Sequence, residues 1–427
     1  MPEARMAIEG LRSGVPYREL AKTVAFGRGR HIEVVERLLQ AVIQGRPARE
    51  RYYLVRANYG EGKTHFLHSL WGRAEDLNFV VTMVAISRES PLDRLDYLYP
   101  KLMENTFVPG SPLAGLDAIV ERAFAEPGIL PETRMLELSP RTMTVVENIV
   151  AQNEGYDELL ADLSGSFLSM SELKRIHRQN YGKPLKLERS SVRDEVMQYV
   201  RLLDYLIHKA GYAGWLILLD EVELIGKLGK GQRSRAYANI GRFLTANLEH
   251  TVTVWSLAAN FHADVLNARK DREAAPLWLQ SRPKEAELAP LCEKGIDALM
   301  ESKRLNPLSE ADIRELIAQM HELHQEAYGW RAPFSAGELY EKVWKFSPLR
   351  DTKLRTWVRL TLTVLDVWFQ YGCDPDISQV NALGETDLDE DTRALSEEDS
   401  SENVVVAPEG NAFEPDESSL IVRKRLF

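Results

Sequence analysis

Cysteine is nearly absent. The 427 residues hold two, Cys292 and Cys373, far apart and outside any CxxC spacing. That excludes a disulfide framework or a cysteine-built metal site, and it fits a reducing compartment. No apolar run approaches the roughly 20 residues that span a bilayer. The opening "MPEARMAIEGLRSGVPYREL" lacks the apolar core of a secretory signal. A cytoplasmic chain with no membrane contact is therefore expected. Zinc spacings, helicase motifs, nuclease carboxylate clusters, internal repeats and the N-K-x-D signature of guanine recognition are missing as well.

An even spread of charge is missing too. Of the 64 acidic and 53 basic residues, Asp374–Phe427 holds 15 and 4, which leaves 49 of each in the rest. The net charge of −11 thus belongs to the tail, and the neutral body does not exclude a nucleic-acid partner. The tail is Ser-rich and poor in apolar residues, which predicts disorder. It ends in "SLIVRKRLF". Either it docks on a partner, or it mimics DNA charge, or it only aids solubility.

What is present is a regular alternation. "RYYLVRA", "NFVVTMVAIS" (78–87), "WLILLDE" (215–221) and "TVTVWSLAAN" (251–260) read as buried strands separated by helical patterns. That predicts an α/β fold on a parallel sheet covered on both faces. Residues 1–47 read as an N-terminal helical segment ("PYRELAKTV", then "HIEVVERLLQAVIQG") around the glycine turn "AFGRGRH". Residues 48–300 form the core, with a long helical insert over 91–208. Residues 301–373 open on a short strand and an N-capped helix near Ser309, then continue as a helical domain. Residues 374–427 are the tail.

Between the first strand and its helix lies "ANYGEGKTHF" (57–66). Gly62, Lys63 and Thr64 match the second half of G-x-x-x-x-G-K-[ST], with Tyr59, Gly60, Glu61 and His65 completing the cradle. Glycines let backbone N–H groups curl around phosphate oxygens. Lys63 would reach the β- and γ-phosphates, and the Thr64 hydroxyl would ligate Mg²⁺ at a helix N-terminus. Ala57 stands where the pattern has its first glycine. A phosphate loop also needs a strand-end acid for the metal and a carboxylate to activate water. "WLILLDEVE" offers Asp220 for Mg²⁺ and Glu221 as general base, while Glu223 reads as a helix-start charge. Asn260, at the end of the next strand, would help place the attacking water.

These residues resemble the AAA+ branch of P-loop (ASCE) ATPases and, within it, the ATP-binding proteins of bacterial BREX-type phage-defence systems. The resemblance lies in "LRSGVPYREL…VAFGRGRHIE", "YGEGKTHFL", "NFVVTMVAISRESPLDRLDYLYPKL" and "AGYAGWLILLDEVELI", over roughly residues 8 to 370. It implies ATP and Mg²⁺ between an αβ core and a C-terminal helical lid. Phe26, Gly27 and Arg28 then fall near the adenine. A lid arginine would sense the γ-phosphate: Arg355 in "KLRTWVRLTLTVLD", with Arg350 as competitor. A finger arginine for a neighbour's nucleotide falls at Arg282 or Arg272, which implies a homo-oligomer. DNA, a helicase or another defence-system protein are the implied partners.

Glu172–Arg193 adds seven Lys or Arg against two acids, a run suited to tracking phosphates or simply solvated. Two function classes stay open: an ATP-hydrolysing motor or switch on DNA or a helicase, and a nucleotide-gated scaffold with little turnover. A small-molecule kinase or GTPase is disfavoured by the Asp220–Glu221 pair, the separate lid and the missing guanine signature.

Overall fold

The computed structural model describes residues 2–13, 28–47, 50–111, 115–151, 154–187, 192–346 and 353–375. Two units divide the chain, Met1–Pro375 and Asp376–Phe427. The second, and with it nearly all of the acidic tail, lies outside the described residues.

The sheet has six strands: β1 (Tyr52–Ala57), β2 (Phe79–Ala85), β3 (Thr106–Phe107), β4 (Gly214–Asp220), β5 (Thr251–Ala258) and β6 (Lys303–Arg304). Their order is β3-β2-β4-β5-β1-β6. Pairings β1–β5, β1–β6, β2–β4 and β4–β5 are parallel, while β2–β3 is antiparallel. The fully parallel sheet expected from sequence is therefore mixed at one edge. β3 is two residues long, too short for any alternation to register in sequence. It is held by the Thr82–Thr106 hydroxyl pair at 2.6 Å.

The four central strands read as mostly apolar runs because both faces are covered. On β4, Leu216 and Leu218 point to one side and Trp215, Ile217 and Leu219 to the other. The first side meets α2 (Gly29–Ile43) through Ile32, Val35, Leu39 and Val42. It also meets α3 (Lys63–Asp76) through Phe66, Leu67, Leu70 and Trp71. The second side carries the insert, including α4 (Leu95–Glu104), α5 (Pro140–Ala151), α6 (Met170–Tyr181) and α7 (Val192–Lys209). It also carries α8 (Lys230–Thr245), α9 (Asp271–Gln280) and α10 (Ala289–Met300). Helices α8 and α10 cross closely: a Cβ on Gly295 would lie 2.0 Å from the Tyr237 carbonyl oxygen.

Beyond the sheet come α11 (Glu310–Tyr328), α12 (Ala336–Phe346) and α13 (Leu354–Tyr371). Ser309 caps α11 with a full capping box to Asp312. The first helix, α1 (Pro2–Ser13), packs on α11 and α13. Arg5 Nε donates to the Ala327 carbonyl at 2.7 Å, and Arg12 Nη2 donates to Asp366 Oδ1 at 2.8 Å. The segment 1–47 read as one piece therefore serves two layers, α1 the C-terminal helices and α2 the sheet. Periodicity names a helix's apolar face but not what covers it.

Candidate nucleotide site

All four long strands run the same way, so their carboxyl ends share one rim. The glycine turn leaves β1 there and the carboxylates leave β4, with β5 between them. Ala57 is the last strand residue, paired with Ala258 in extended backbone. It needs no glycine. The left-handed angles fall instead on Gly60 (φ +76°) and Gly62 (φ +91°), which a Cβ would strain.

Gly62 caps α3 without any side-chain hydrogen bond. The leading N–H groups of α3 thus meet the turn with no side-chain acceptor on the cap, the arrangement that receives an anion. Glu61 is buried and folds back as a brace: its two carboxylate oxygens accept from Asn58 N and Nδ2, each at 2.7 Å. Tyr59 stands exposed on the rim, and His65 sits in the first turn of α3.

Lys63 is buried. Its ammonium donates to the Ala57 carbonyl at 3.3 Å and lies 3.6 Å from Glu223 Oε1. Thr64 Oγ1 donates to Asp220 Oδ2 at 2.7 Å. The other oxygen of Asp220 accepts from Glu221 N at 2.9 Å and from the Ser256 hydroxyl. Glu221 takes a left-handed backbone (φ +57°), unusual for a non-glycine residue and found where a side chain must be aimed. Desolvation and then the neighbouring carboxylates Asp220 and Glu223 push its pKa up, against the pull of Lys63 and Lys227.

Glu223 does stand in the first turn of the short helix Val222–Lys227, as the helix-start reading expects, and it makes a further contact. It turns inward to Lys63, and its Oε2 is buried with no hydrogen-bond partner. Ser256 carried no signal of its own; a lone hydroxyl in "VWSLA" gains meaning only from the register that sets Leu219 against Trp255. Asn260 is exposed at the end of β5, and its amide donates to Asp264 Oδ2 at 2.7 Å. An Asn at a strand end finds its nearest acceptor one turn on.

Arg28 is buried at the start of α2, and its guanidinium donates to the carbonyls of Glu61 and Asn306. It ties the turn to the entrance of the C-terminal helices. Phe26, Gly27 and Arg350 lie outside the described residues. Arg355 sits in the first turn of α13, where its N–H donates to the Gly60 carbonyl at 3.3 Å and Nη1 to the Tyr59 hydroxyl at 2.9 Å. Leu354 crowds Gly62, whose Cβ would come within 2.9 Å of it. Arg282 is exposed and stacks on Trp278, 3.6 Å from the ring centre, and Arg272 is exposed on α9.

Mg²⁺ takes oxygen ligands about 2.1 Å away in an octahedron whose edges are roughly 3 Å, usually with one or two carboxylates plus phosphate and water oxygens. The 2.7 Å Thr64–Asp220 contact is close to such an edge. Among the described residues no cluster of three or more His, Cys, Asp or Glu side chains could hold a metal. Thr64 and Asp220 would supply two of the oxygens of such an octahedral shell. Nor, among the described residues, is any helix long and apolar enough to cross a membrane.

A comparison with curated proteins finds no match. Among solved structures, a Walker-type ATPase of Pyrococcus abyssi aligns at 10% identity and a TM-score of 0.36, covering 85% of this chain and 75% of that one. That likeness is too remote to bear on fold or function. A family model for BREX system ATP-binding protein BrxC/D matches residues 2–132 and 186–367. Its gap leaves out 133–185, where the resemblance expected across the insert stops. Since the matched stretches run through every element that builds the rim, the chain belongs to the family of BREX system ATP-binding proteins BrxC/D.

Proposed function

We propose that the chain binds ATP with Mg²⁺ at the Gly60–Thr64 turn and hydrolyses it, coupling turnover to movement of the C-terminal helices as a lid. The observation that carries this reading is the 2.7 Å contact between Thr64 and Asp220, residues 156 positions apart, beside an uncapped helix start. The N–H groups opening α3 and the Lys63 ammonium take the phosphates. Thr64 and Asp220 hold the metal, which when bound supplies charge neutralisation on the β- and γ-phosphates. Ser256 fixes the orientation of Asp220. Glu221 accepts a proton from the attacking water, a task its raised pKa suits. Asn260 places that water once it leaves Asp264.

Arg355 and Lys353 stand on the turn at the head of α13, and Arg28 joins the turn to Asn306. Phosphate arrival and loss at the turn then bear directly on the lid. The same contacts favour a second reading, a nucleotide-gated scaffold in which binding alone moves α13. Arg282 or Arg272 acting on a neighbour's nucleotide would require a homo-oligomer. Arg175, Arg178, Lys183 and Lys186 stand exposed on and after α6, with Tyr181 beside them, a surface suited to nucleic-acid phosphates.

One assay separates these readings: ATP hydrolysis and binding with and without duplex, forked and single-stranded DNA. It compares wild type, Lys63→Ala and Glu221→Gln. Turnover surviving both substitutions rejects the site. Binding without turnover under every DNA condition selects the scaffold.

A further inference from the structure

The proposed chemistry leaves one partly buried charge beside the phosphate turn without a task. Glu223 follows β4 in the short helical turn Val222–Lys227 and packs toward the tip of β5. One of its oxygens lies 3.6 Å from the Lys63 ammonium, and the other is buried without a hydrogen-bond partner. Lys63 itself is 8% exposed, and its hydrogen-bond acceptor is the Ala57 carbonyl. A buried ammonium without an opposite charge nearby is costly, and here Glu223 supplies that charge.

The same ammonium is the group that would reach the phosphates. A triphosphate brings several negative charges to it, and Glu223 would then face an anion across a short gap with one oxygen already unsolvated. Like charges this close oppose each other more strongly where water is excluded.

We propose that Glu223 is the resting counter-ion of Lys63, an internal anion that competes with the β- and γ-phosphates for the ammonium and so sets nucleotide affinity. The inference rests on the ATP reading of this turn. Glu223 is here a positioning residue: it acts through Lys63. It keeps the empty turn ordered and weakens the hold on nucleotide, which favours release.

Calorimetric titration of the full chain with Mg²⁺ and AMP-PNP, ADP or AMP tests this. Glu223→Gln keeps the shape and removes the charge. It is expected to bind AMP-PNP and ADP about tenfold tighter, the order of one partly buried charge pair, with AMP unchanged. Glu223→Asp withdraws the charge by one methylene and gives a smaller gain; it carries the test if Glu223→Gln does not fold. Unchanged or weaker AMP-PNP binding by a folded variant overturns the inference, as does equal tightening toward AMP. A wild type that binds neither AMP-PNP nor ADP removes the site reading itself. Wild-type binding that is lost in Lys63→Met but indifferent to Glu223 leaves the site and removes only the counter-ion.

Discussion

The two rims of the sheet both bury carboxylates, and they treat them in opposite ways. At the amino ends, Asp204 on α7 accepts from Glu249 N and His250 N at 2.9 Å each and from Thr251 Oγ1 at 2.6 Å. At the carboxyl ends, Asp220, Glu221 and Glu223 crowd one another, Glu223 keeps a bare oxygen, and α3 starts uncapped. A satisfied buried group fixes structure; an under-satisfied one is held ready for a ligand. The contrast is between carboxylates only, since Arg51 Nη1 at the amino ends is also buried without a hydrogen-bond partner, and it supports the proposal that nucleotide binds at the carboxyl-end rim.

Several substitutions would break or sharpen that division. Glu221→Gln should lower ATP turnover by about 10²–10³-fold, the scale of general-base loss, while ATP binding persists. Lys63→Ala should weaken ATP by roughly a hundredfold. Calorimetry and a thermal scan of the empty protein would show whether affinity and stability part company, as the division requires. Asp204→Ala should do the reverse. It leaves one buried and two partly buried donors unpaired and should cost about 3 kcal/mol in urea unfolding, with nucleotide affinity kept. A loss of affinity on that scale would erase the contrast between the rims.

Ser256→Ala should weaken Mg²⁺ binding by about tenfold, as removal of a supporting hydrogen bond does at metal sites, with metal-free unfolding little changed. The smallest effect concerns pH. His250 stacks on His208 with ring centres 3.9 Å apart. Desolvation, then His208 and Arg51, lower its pKa from 6.5 to about 4. A lowered base contributes stability above the unfolded value that is lost as pH falls from 6.5 toward 4. Asp204 works in the other sense. Its pKa is raised by desolvation to about 6, so its contribution is lost as pH climbs from 3.8 to 6. His250→Phe should therefore flatten the acid-side fall in melting temperature. An unaltered slope between pH 4 and 6.5 would remove His250 from the account.

Much of this was legible beforehand because it is local. Strand runs such as "WLILLD", the capping box at Ser309 and the glycine turn each place their own signal within a few residues. Backbone angles and caps depend on near neighbours, so sequence can state them. The two-residue β3, the inward turn of Glu223 and the use of the Asn260 amide were not legible. Each depends on which partner the fold delivers.

The order of residues alone determined an α/β sheet covered on both faces, a glycine turn between the first strand and its helix, and a strand ending in paired acids. Tertiary structure decided that Ser256 stands behind Asp220, that Glu223 faces Lys63, that Arg28 bridges Glu61 and Asn306, and that α1 joins α11 and α13. The reason is distance along the chain. Those contacts join residues tens to hundreds of positions apart, and only the stacking of strands into one register and the burial of apolar faces bring them within reach.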